Sequence, residues 1–354
     1  MDKKALWSLF ENVKAEHASG STNVMTLNRE KNSEVLIVDG TNNYIKSWCV
    51  VPTLNANGEH VGGITGFLNS MGYAIKLLKP TRVIIVFDGK GGSARRRAIY
   101  PKYKASRKAP RRLNRTYEGM VDESGEEKAL LMQMGVLADF LTALPVSVIV
   151  IDHIEADDTI AYIANHVFSK PTERVTIMSS DKDYYQLVSD RVSVWSPIKK
   201  KVYDITSIIN EFGIHPNNFI NFRIMDGDTS DEIDGVRGIG LATAVKRFPM
   251  LTEATRHSVD DIVKFANERV NEYAAYAAVA KSADILDRNH QLMQLAEPII
   301  NGSTQMRISD AVDKKYTLST FAFIQKLTQY SMHQSMPNYH VWLREVFGPL
   351  SQFS

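Results

Sequence analysis

Ile154-Glu155-Ala156-Asp157-Asp158-Thr159 places three carboxylates within four residues, following the apolar run Val146-Ser147-Val148-Ile149-Val150-Ile151. Apolar residues then recur at Ile160, Ile163, Ala164 and Val167. The pattern reads as a buried strand, a short turn and a helix with an acidic first turn. One or two acids there would merely complement the helix dipole. Three at the carboxyl end of a buried strand repel one another more than capping returns, unless a cation sits among them.

The strand reading extends in both directions. Short apolar runs ending in acid recur at Val35-Leu36-Ile37-Val38-Asp39, at Val83-Ile84-Ile85-Val86-Phe87-Asp88, and at Val175-Thr176-Ile177-Met178-Ser179-Ser180-Asp181-Lys182-Asp183. Helix-length segments at 64–78, 126–143 and 157–168 separate them. The expected fold is α/β, with a mostly parallel central sheet covered by helices on both faces. Ligand sites in such sheets lie beyond the carboxyl ends of the strands, and each run puts its acids there. Val192–Pro197 and Lys199–Tyr203 read as two closing edge strands joined by a basic turn.

Composition narrows the function. The chain has 354 residues, net charge +2 and one cysteine, Cys49. That excludes a disulfide framework or a Cys/His zinc site and points to a reducing, cytoplasmic setting. No apolar run nears the ~20 residues of a membrane span, and no signal peptide is expected. The charge is segregated. Gly89 to Thr116 holds eleven Lys and Arg and no acid. Arg95, Arg96, Arg97, Lys102, Lys104, Arg107, Lys108, Arg111, Arg112 and Arg115 are interleaved with Tyr100, Tyr103 and Tyr117, a pattern suited to phosphates and to stacking on unpaired bases.

A second acidic segment runs from Asp226 through Asp228 and Asp231, whose i, i+3 spacing suggests one turn of helix. It leads into Gly235-Val236-Arg237-Gly238-Ile239-Gly240 and a helix from Leu241 that carries Lys246. These glycines do not follow a strand, so a dinucleotide loop fails its context. A glycine turn before a helix lets backbone N–H groups approach phosphates. Three regions are expected. Residues 1–33 form an extension whose Leu6, Leu9, Phe10 and Val13 could make one helical stripe. Residues 34–205 form the α/β domain, with a basic arch at about 89–125. Residues 206–354 form a smaller helical domain, with the duplex-binding motif at about 226–250.

Taken in order, Glu155-Ala156-Asp157-Asp158, Ser179-Ser180-Asp181-x-Asp183, Trp195-Ser196-Pro197-x-x-Lys200-Lys201 and the glycine turn resemble the flap endonuclease/5′-nuclease family. This family includes the 5′-nuclease domain of bacterial DNA polymerase and the ribonuclease H of T-even-like bacteriophages. The likeness covers about residues 35–250. The first three segments are most similar to the phage enzymes, the glycine turn to cellular and polymerase-linked members.

The resemblance implies a two-metal 5′-3′ nuclease using Mg²⁺, with Mn²⁺ substituting. Asp39, Asp88, Asp157 and Asp181 would surround the first ion. Asp183, Asp228 and Asp231 would surround the second, and Glu155 and Asp158 would bind directly or through water. It implies catalytic roles for Lys104 and Arg96. Contacts to nucleic acid would come from Arg96, Arg97, Lys104, Arg107, Gly235, Gly238, Gly240 and Lys246, the glycines within a helix-turn-helix. The implied substrates are RNA–DNA hybrids and branched or nicked duplex DNA, cut as exonuclease and flap endonuclease to remove RNA primers or flaps in replication. A single-strand-binding protein or sliding clamp are the implied partners of a monomeric enzyme. The alternatives are a PIN-like ribonuclease, a structure-specific DNA-binding protein without catalysis, and a metal phosphatase that would leave the basic segment unexplained.

Overall fold

The computed structural model describes residues 29–108, 113–116 and 123–353, without the side chains of 107, 108, 123 and 124. The expected stripe Leu6–Val13 lies outside the described residues. So do Arg111, Arg112 and Tyr117 and the side chains of Arg107 and Lys108.

Six strands form one sheet in the order β3-β2-β1-β4-β5-β6. They are β1 (Glu34–Asp39), β2 (Arg82–Asp88), β3 (Ser147–Ile151), β4 (Arg174–Met178), β5 (Val192–Ser196) and β6 (Lys201–Tyr203). β1 to β5 are parallel and β6 runs antiparallel to β5. The continuous apolar runs are explained by burial on both faces. Within β1, Val35 and Ile37 enter one core cluster, Leu36 and Val38 the other, as strand alternation requires.

One face is covered by α1 (Gly40–Val50), α2 (Gly62–Leu78) and α4 (Glu123–Thr142). The other is covered by α5 (Ala156–Tyr162), its π-helical continuation Ile163–Val167, and the 3-10 helix Lys182–Leu187. α3 (Ala94–Ile99) follows β2 and stops before Pro101, which cannot extend a helix.

Past residue 205 come α6 (Ile205–Phe212), α7 (Phe219–Asp226), a hairpin of β7 (Gly227–Asp228) and β8 (Ile233–Asp234), and α8 (Leu241–Arg247). Then follow α9 (Val259–Asn267), α10 (Ala274–Ala280), α11 (Ala283–Met293), α12 (Gly302–Asp313), α13 (Thr320–Gln329) and α14 (Tyr339–Trp342). These helices do not build a core of their own. Residues 208–312 join the cluster on one sheet face and residues 323–350 the cluster on the other, so Lys31–Ser354 is one compact unit. Asp228 and Asp231 lie on the β7–β8 hairpin and its turn, not on a helix. Gly227 explains the hairpin. It has φ +76°, and a Cβ there would meet the Ile233 carbonyl oxygen at 2.5 Å.

Candidate nuclease site

The parallel strands deliver their terminal acids to one edge. Asp39 ends β1 and caps α1, its Oδ1 accepting from the Asn42 amide at 3.0 Å. Its Oδ2 accepts from the Ser179 hydroxyl at 2.9 Å, which ties the ends of β1 and β4 together. Asp88 ends β2 and accepts from the Ala156 amide at 2.9 Å, fixing the start of α5. Asp157, in the first turn of α5, accepts from the Tyr184 hydroxyl. Asp181 caps the 3-10 helix through the Asp183 amide at 2.9 Å.

Three of these carboxylates hold their protons unusually well. Burial, with Asp88 adding, pushes Asp39 up to about 6. Burial and Asp183 push Asp181 up to about 7. Burial, then Asp39 and Asp181, pushes Asp157 well above the carboxylate range. The countercharges are Lys46, on α1, for Asp39, with Lys104 acting on Asp157 and Arg223 on Asp181. Burial lowers the Lys46 pKa, while Asp181 and Asp39 oppose that shift.

Glu155 has the opposite electrostatics. Burial would raise its pKa, but Lys104 and Arg96 outweigh it and hold the carboxyl below its usual range. The Tyr103 hydroxyl donates to Glu155 Oε2 at 2.9 Å and Lys104 Nζ to Oε1 at 3.2 Å. Lys104 Nζ also lies 3.7 Å from Asp231, and its amide donates to the Asp231 carbonyl at 3.0 Å. The Ser106 amide donates to Glu232 at 2.7 Å and the Tyr100 hydroxyl to Asp234 at 3.0 Å. The base of the basic segment is thus stitched across both acidic stretches, with Lys104 between them.

Arg96, expected in a catalytic and phosphate-binding role, lies inside the protein against its own carboxylates. It is 3% exposed and forms a bidentate pair with Asp158 at 2.5 and 3.1 Å. It also contacts Glu155 at 3.0 Å and the Leu292 carbonyl at 2.7 Å. All three nitrogens are engaged, so Arg96 orders Glu155 and Asp158 and joins α3 to α11. The same pairing ties up Asp158. Arg97 turns back on the Tyr103 and Lys104 carbonyls at 3.3 and 3.4 Å.

Asp183, Asp228 and Asp231 form the second acidic group. Asp228 Oδ1 accepts from the Ser230 amide and hydroxyl at 2.7 and 2.6 Å and from the Asp231 amide at 3.3 Å. Between Asp183 and Asp228 lies Arg223 of α7, 2.7 Å from one and 2.6 Å from the other. Neither Arg223 nor Lys46 stood out in the sequence. The signal for Arg223 was a lone arginine in the otherwise apolar Phe219-Ile220-Asn221-Phe222-Arg223-Ile224-Met225, because a buried arginine demands an acidic partner.

Among the glycines, Gly235 packs on backbone. A Cβ there would meet the Asp226 carbonyl oxygen at 2.3 Å. Gly238 (φ +84°) and Gly240 have no atom within 4 Å of a Cβ, and no side chain caps α8 behind them. That bare turn, with exposed Lys246 one helical turn on, leaves backbone N–H groups open to an anion.

The donor set fits a hard divalent cation. It consists of carboxylates, and the buried oxygens of Asn42 (Oδ1) and Ser180 (Oγ), which line the cavity shared with Asp181 and Asp228, have no hydrogen-bond partner. Among the described residues, no three acids are already drawn into ligand geometry, as mutual repulsion requires without a counter-ion.

The titration has a consequence for stability. The folded-state pKa values of Asp39 and Asp181 lie above their ordinary value, so the folded chain binds more protons than the unfolded one. Stability is therefore present at low pH and lost as pH rises through about 6 and about 7. In EDTA, stability is expected to fall by on the order of 3 kcal/mol between about pH 5.5 and about pH 8. Mg²⁺ should flatten the loss. Thermal melts across that range check it; a flat or rising profile in EDTA would mean the three acids are not forced together.

The profile of the 5′-3′ exonuclease N-terminal resolvase-like domain matches residues 34–213. The 5′-3′ exonuclease of Aquifex aeolicus is 31% identical over 59% of this chain, the match spanning 66% of that protein, just under two thirds of its length. The 5′-3′ exonuclease of Buchnera aphidicola subsp. Acyrthosiphon pisum is 32% identical over 62% of this chain and 71% of its own. A solved structure of the T5 5′-exonuclease with divalent zinc bound superposes with a TM-score of 0.58 over 84% of this chain and 97% of that one. At 19% identity it carries the fold alone, a resolvase-like PIN sheet with a helical C-terminal region. Among the described residues, no helix is long and apolar enough to cross a membrane. The matched profile, the curated relatives and the acids gathered at one sheet edge together make this chain a member of the flap endonuclease/5′-3′ exonuclease family.

Proposed function

We propose that this chain is a divalent-metal-dependent 5′-3′ nuclease. Its substrates are branched or nicked duplex DNA and RNA–DNA hybrids, from which it removes flaps or RNA primers during replication. One observation carries the reading. Asp39, Asp157 and Asp181 are buried at one sheet edge, the Tyr184 hydroxyl reaching both Asp39 and Asp157, and burial first and then repulsion from neighbouring carboxylates raise all three above the carboxylate range. A fold without a use for a cation there would not retain that cost.

Asp39, Asp88, Asp157 and Asp181 would hold one ion, and Asp183, Asp228 and Asp231 a second. Hard oxygen ligands without Cys or His favour Mg²⁺, with Mn²⁺ as substitute. Bound there, the ions supply Lewis-acid activation of water and neutralise charge at the phosphodiester. Glu155, oriented by Tyr103 and Arg96, keeps its charge beside them. Lys104, held between Glu155 and Asp231, is the cation placed to stabilise negative charge on the phosphate. The Gly238–Gly240 turn takes the duplex backbone, and the basic segment meets the 5′ single strand.

A 5′-labelled flap duplex, an RNA–DNA hybrid and single-stranded RNA, each in Mg²⁺ and in EDTA, test the reading. Metal-dependent cleavage at the flap junction or from the 5′ end of the hybrid is expected. Tight flap binding without cleavage would leave a DNA-binding protein, and cleavage of single-stranded RNA alone a PIN-like ribonuclease.

Lys104→Ala is expected to slow single-turnover cleavage by roughly 100-fold. Duplex affinity, measured by anisotropy in Ca²⁺, should change less than about threefold. Weaker binding with unchanged turnover would remove Lys104 from catalysis.

A further inference from the structure

The two acidic groups are neutralised by different means. Asp39 accepts from the Asn42 amide and the Ser179 hydroxyl, and Asp157 from the Tyr184 hydroxyl. All are neutral donors, and the cations act on this group only from a distance: Lys46 on Asp39 and Asp181, Lys104 on Asp157, Arg223 on Asp181. Asp183 and Asp228, in contrast, share one guanidinium. Arg223 Nε donates to Asp183 Oδ1 at 2.7 Å and Nη2 to Asp228 Oδ2 at 2.6 Å. Nη1 donates to the Gly227 carbonyl at 3.1 Å and lies 3.7 Å from Asp226. The side chain is 7% exposed.

We propose that Arg223 is a built-in counter-cation of the second carboxylate group, which a divalent ion must displace before it can bind there. This rests on the nuclease reading above and adds an order to it: the ion at Asp39, Asp157 and Asp181 binds first and tightly, the ion at Asp183, Asp228 and Asp231 second and weakly.

The competition is for the same lone pairs. Mg²⁺ takes carboxylate oxygens at about 2.0–2.1 Å, and Asp183 Oδ1 and Asp228 Oδ2 already accept from Arg223 at hydrogen-bond distance. Two cations cannot share those oxygens at full strength, and a guanidinium does not deprotonate to make way. Breaking a well-formed buried pair opposes the incoming ion by several-fold in affinity or more. Arg223 has somewhere to go, since it lines a cavity of ≈ 510 Å³ together with Lys46, Asp181 and Asp228. A substrate phosphate entering that cavity would accept the released guanidinium bidentately. Arg223 is thus a positioning residue. Without the second ion it keeps Asp183 and Asp228 from repelling one another; with substrate it lets them go.

The test counts metal ions rather than products. The full chain is stripped with EDTA, desalted and titrated with Mn²⁺, free ion being read by electron paramagnetic resonance. One tight ion and a second at least about tenfold weaker are expected. Arg223→Gln, which keeps an amide donor and removes the charge, should tighten the weaker ion about tenfold and the tighter one, which meets Arg223 only at a distance through Asp181, by less than about threefold. An unchanged or weakened second ion in Arg223→Gln would overturn the proposal.

A measurement on the unmodified chain covers the case in which that variant does not fold. The Arg223 Nε–Hε resonance should persist through the first equivalent of Mg²⁺ and shift or exchange out with the second. Its persistence at saturating Mg²⁺ would also overturn the proposal. Absence of any Mn²⁺ binding by the unmodified chain would sink the nuclease reading itself, whereas two ions of equal affinity would sink only the role of Arg223.

Discussion

Asp181→Asn is expected to lower metal-dependent cleavage by roughly 10³-fold while making the EDTA-treated chain more stable above neutral pH. Both effects follow from one position. Asp181 ends the β4 segment and is raised to about 7 by burial and by Asp183. Above that pH it is a charge the fold holds against its preference, and the amide removes the charge. The gain at about pH 8 is expected to exceed the gain at about pH 5.5 by on the order of 2 kcal/mol, because the folded carboxyl is mostly protonated at the lower pH. The amide oxygen can still accept from the Asp183 backbone, so the 3-10 helix keeps its cap. A structural acid behaves oppositely, because its removal lowers stability and leaves chemistry alone. Melts in EDTA at the two pH values, beside single-turnover cleavage in Mg²⁺, separate the cases. Cleavage within tenfold of the parent, or a less stable variant at high pH, would remove Asp181 from the metal-binding set.

The sheet was legible because a strand buried on both faces has few ways to be written. Val35–Val38, Val83–Phe87 and Val175–Met178 are apolar runs broken only by Thr176, and the acids that follow them, Asp39, Asp88 and Asp181, mark the edge where the chain leaves the sheet. The site acids could therefore be found from position alone. Their partners could not. Lys46 lies in Gly40–Val50, whose apolar stripe is weak because its buried face holds Gly40, Asn43 and Ser47 beside Tyr44 and Trp48. Spacing can put Asp228 and Asp231 near one another but cannot tell a helical turn from a hairpin turn. Only the positive φ of Gly227 and its close approach to Ile233 decide for the hairpin. The run Arg95-Arg96-Arg97 is the sharpest case. Three like residues in sequence have three environments: Arg95 at the rim of a cavity, Arg96 sealed against Asp158, Arg97 folded back on the Tyr103 and Lys104 carbonyls. A basic run signals an anion nearby, but not whether that anion is a substrate phosphate or the protein's own carboxylate.

Arg96 is where that ambiguity has its largest energetic consequence. Arg96→Ala is expected to destabilise the chain by about 3–5 kcal/mol, because it leaves Glu155 and Asp158 buried without their shared cation. It also releases the Leu292 carbonyl, a hydrogen bond that ties α3 to α11. Arg96→Lys should recover little. An ammonium is a point charge and cannot reproduce the two-pronged bond to Asp158 while also reaching Leu292. The informative variant is the double one. Asp158→Asn removes one of the stranded charges, so Arg96→Ala/Asp158→Asn should be more stable than Arg96→Ala alone by at least about 1 kcal/mol, a coupling read from a denaturation cycle. Lys104, eight positions on, also pairs with Glu155, but Arg96 and Tyr103 would still hold that carboxylate, so Lys104→Ala should cost less stability than Arg96→Ala and far more turnover. If Arg96→Ala instead melts like the parent and loses cleavage on bound substrate, the guanidinium leaves Asp158 for the phosphate during the reaction. The pair at 2.5 Å would then be the resting state of a catalytic group, not the fixed strut that its burial and four acceptors make it.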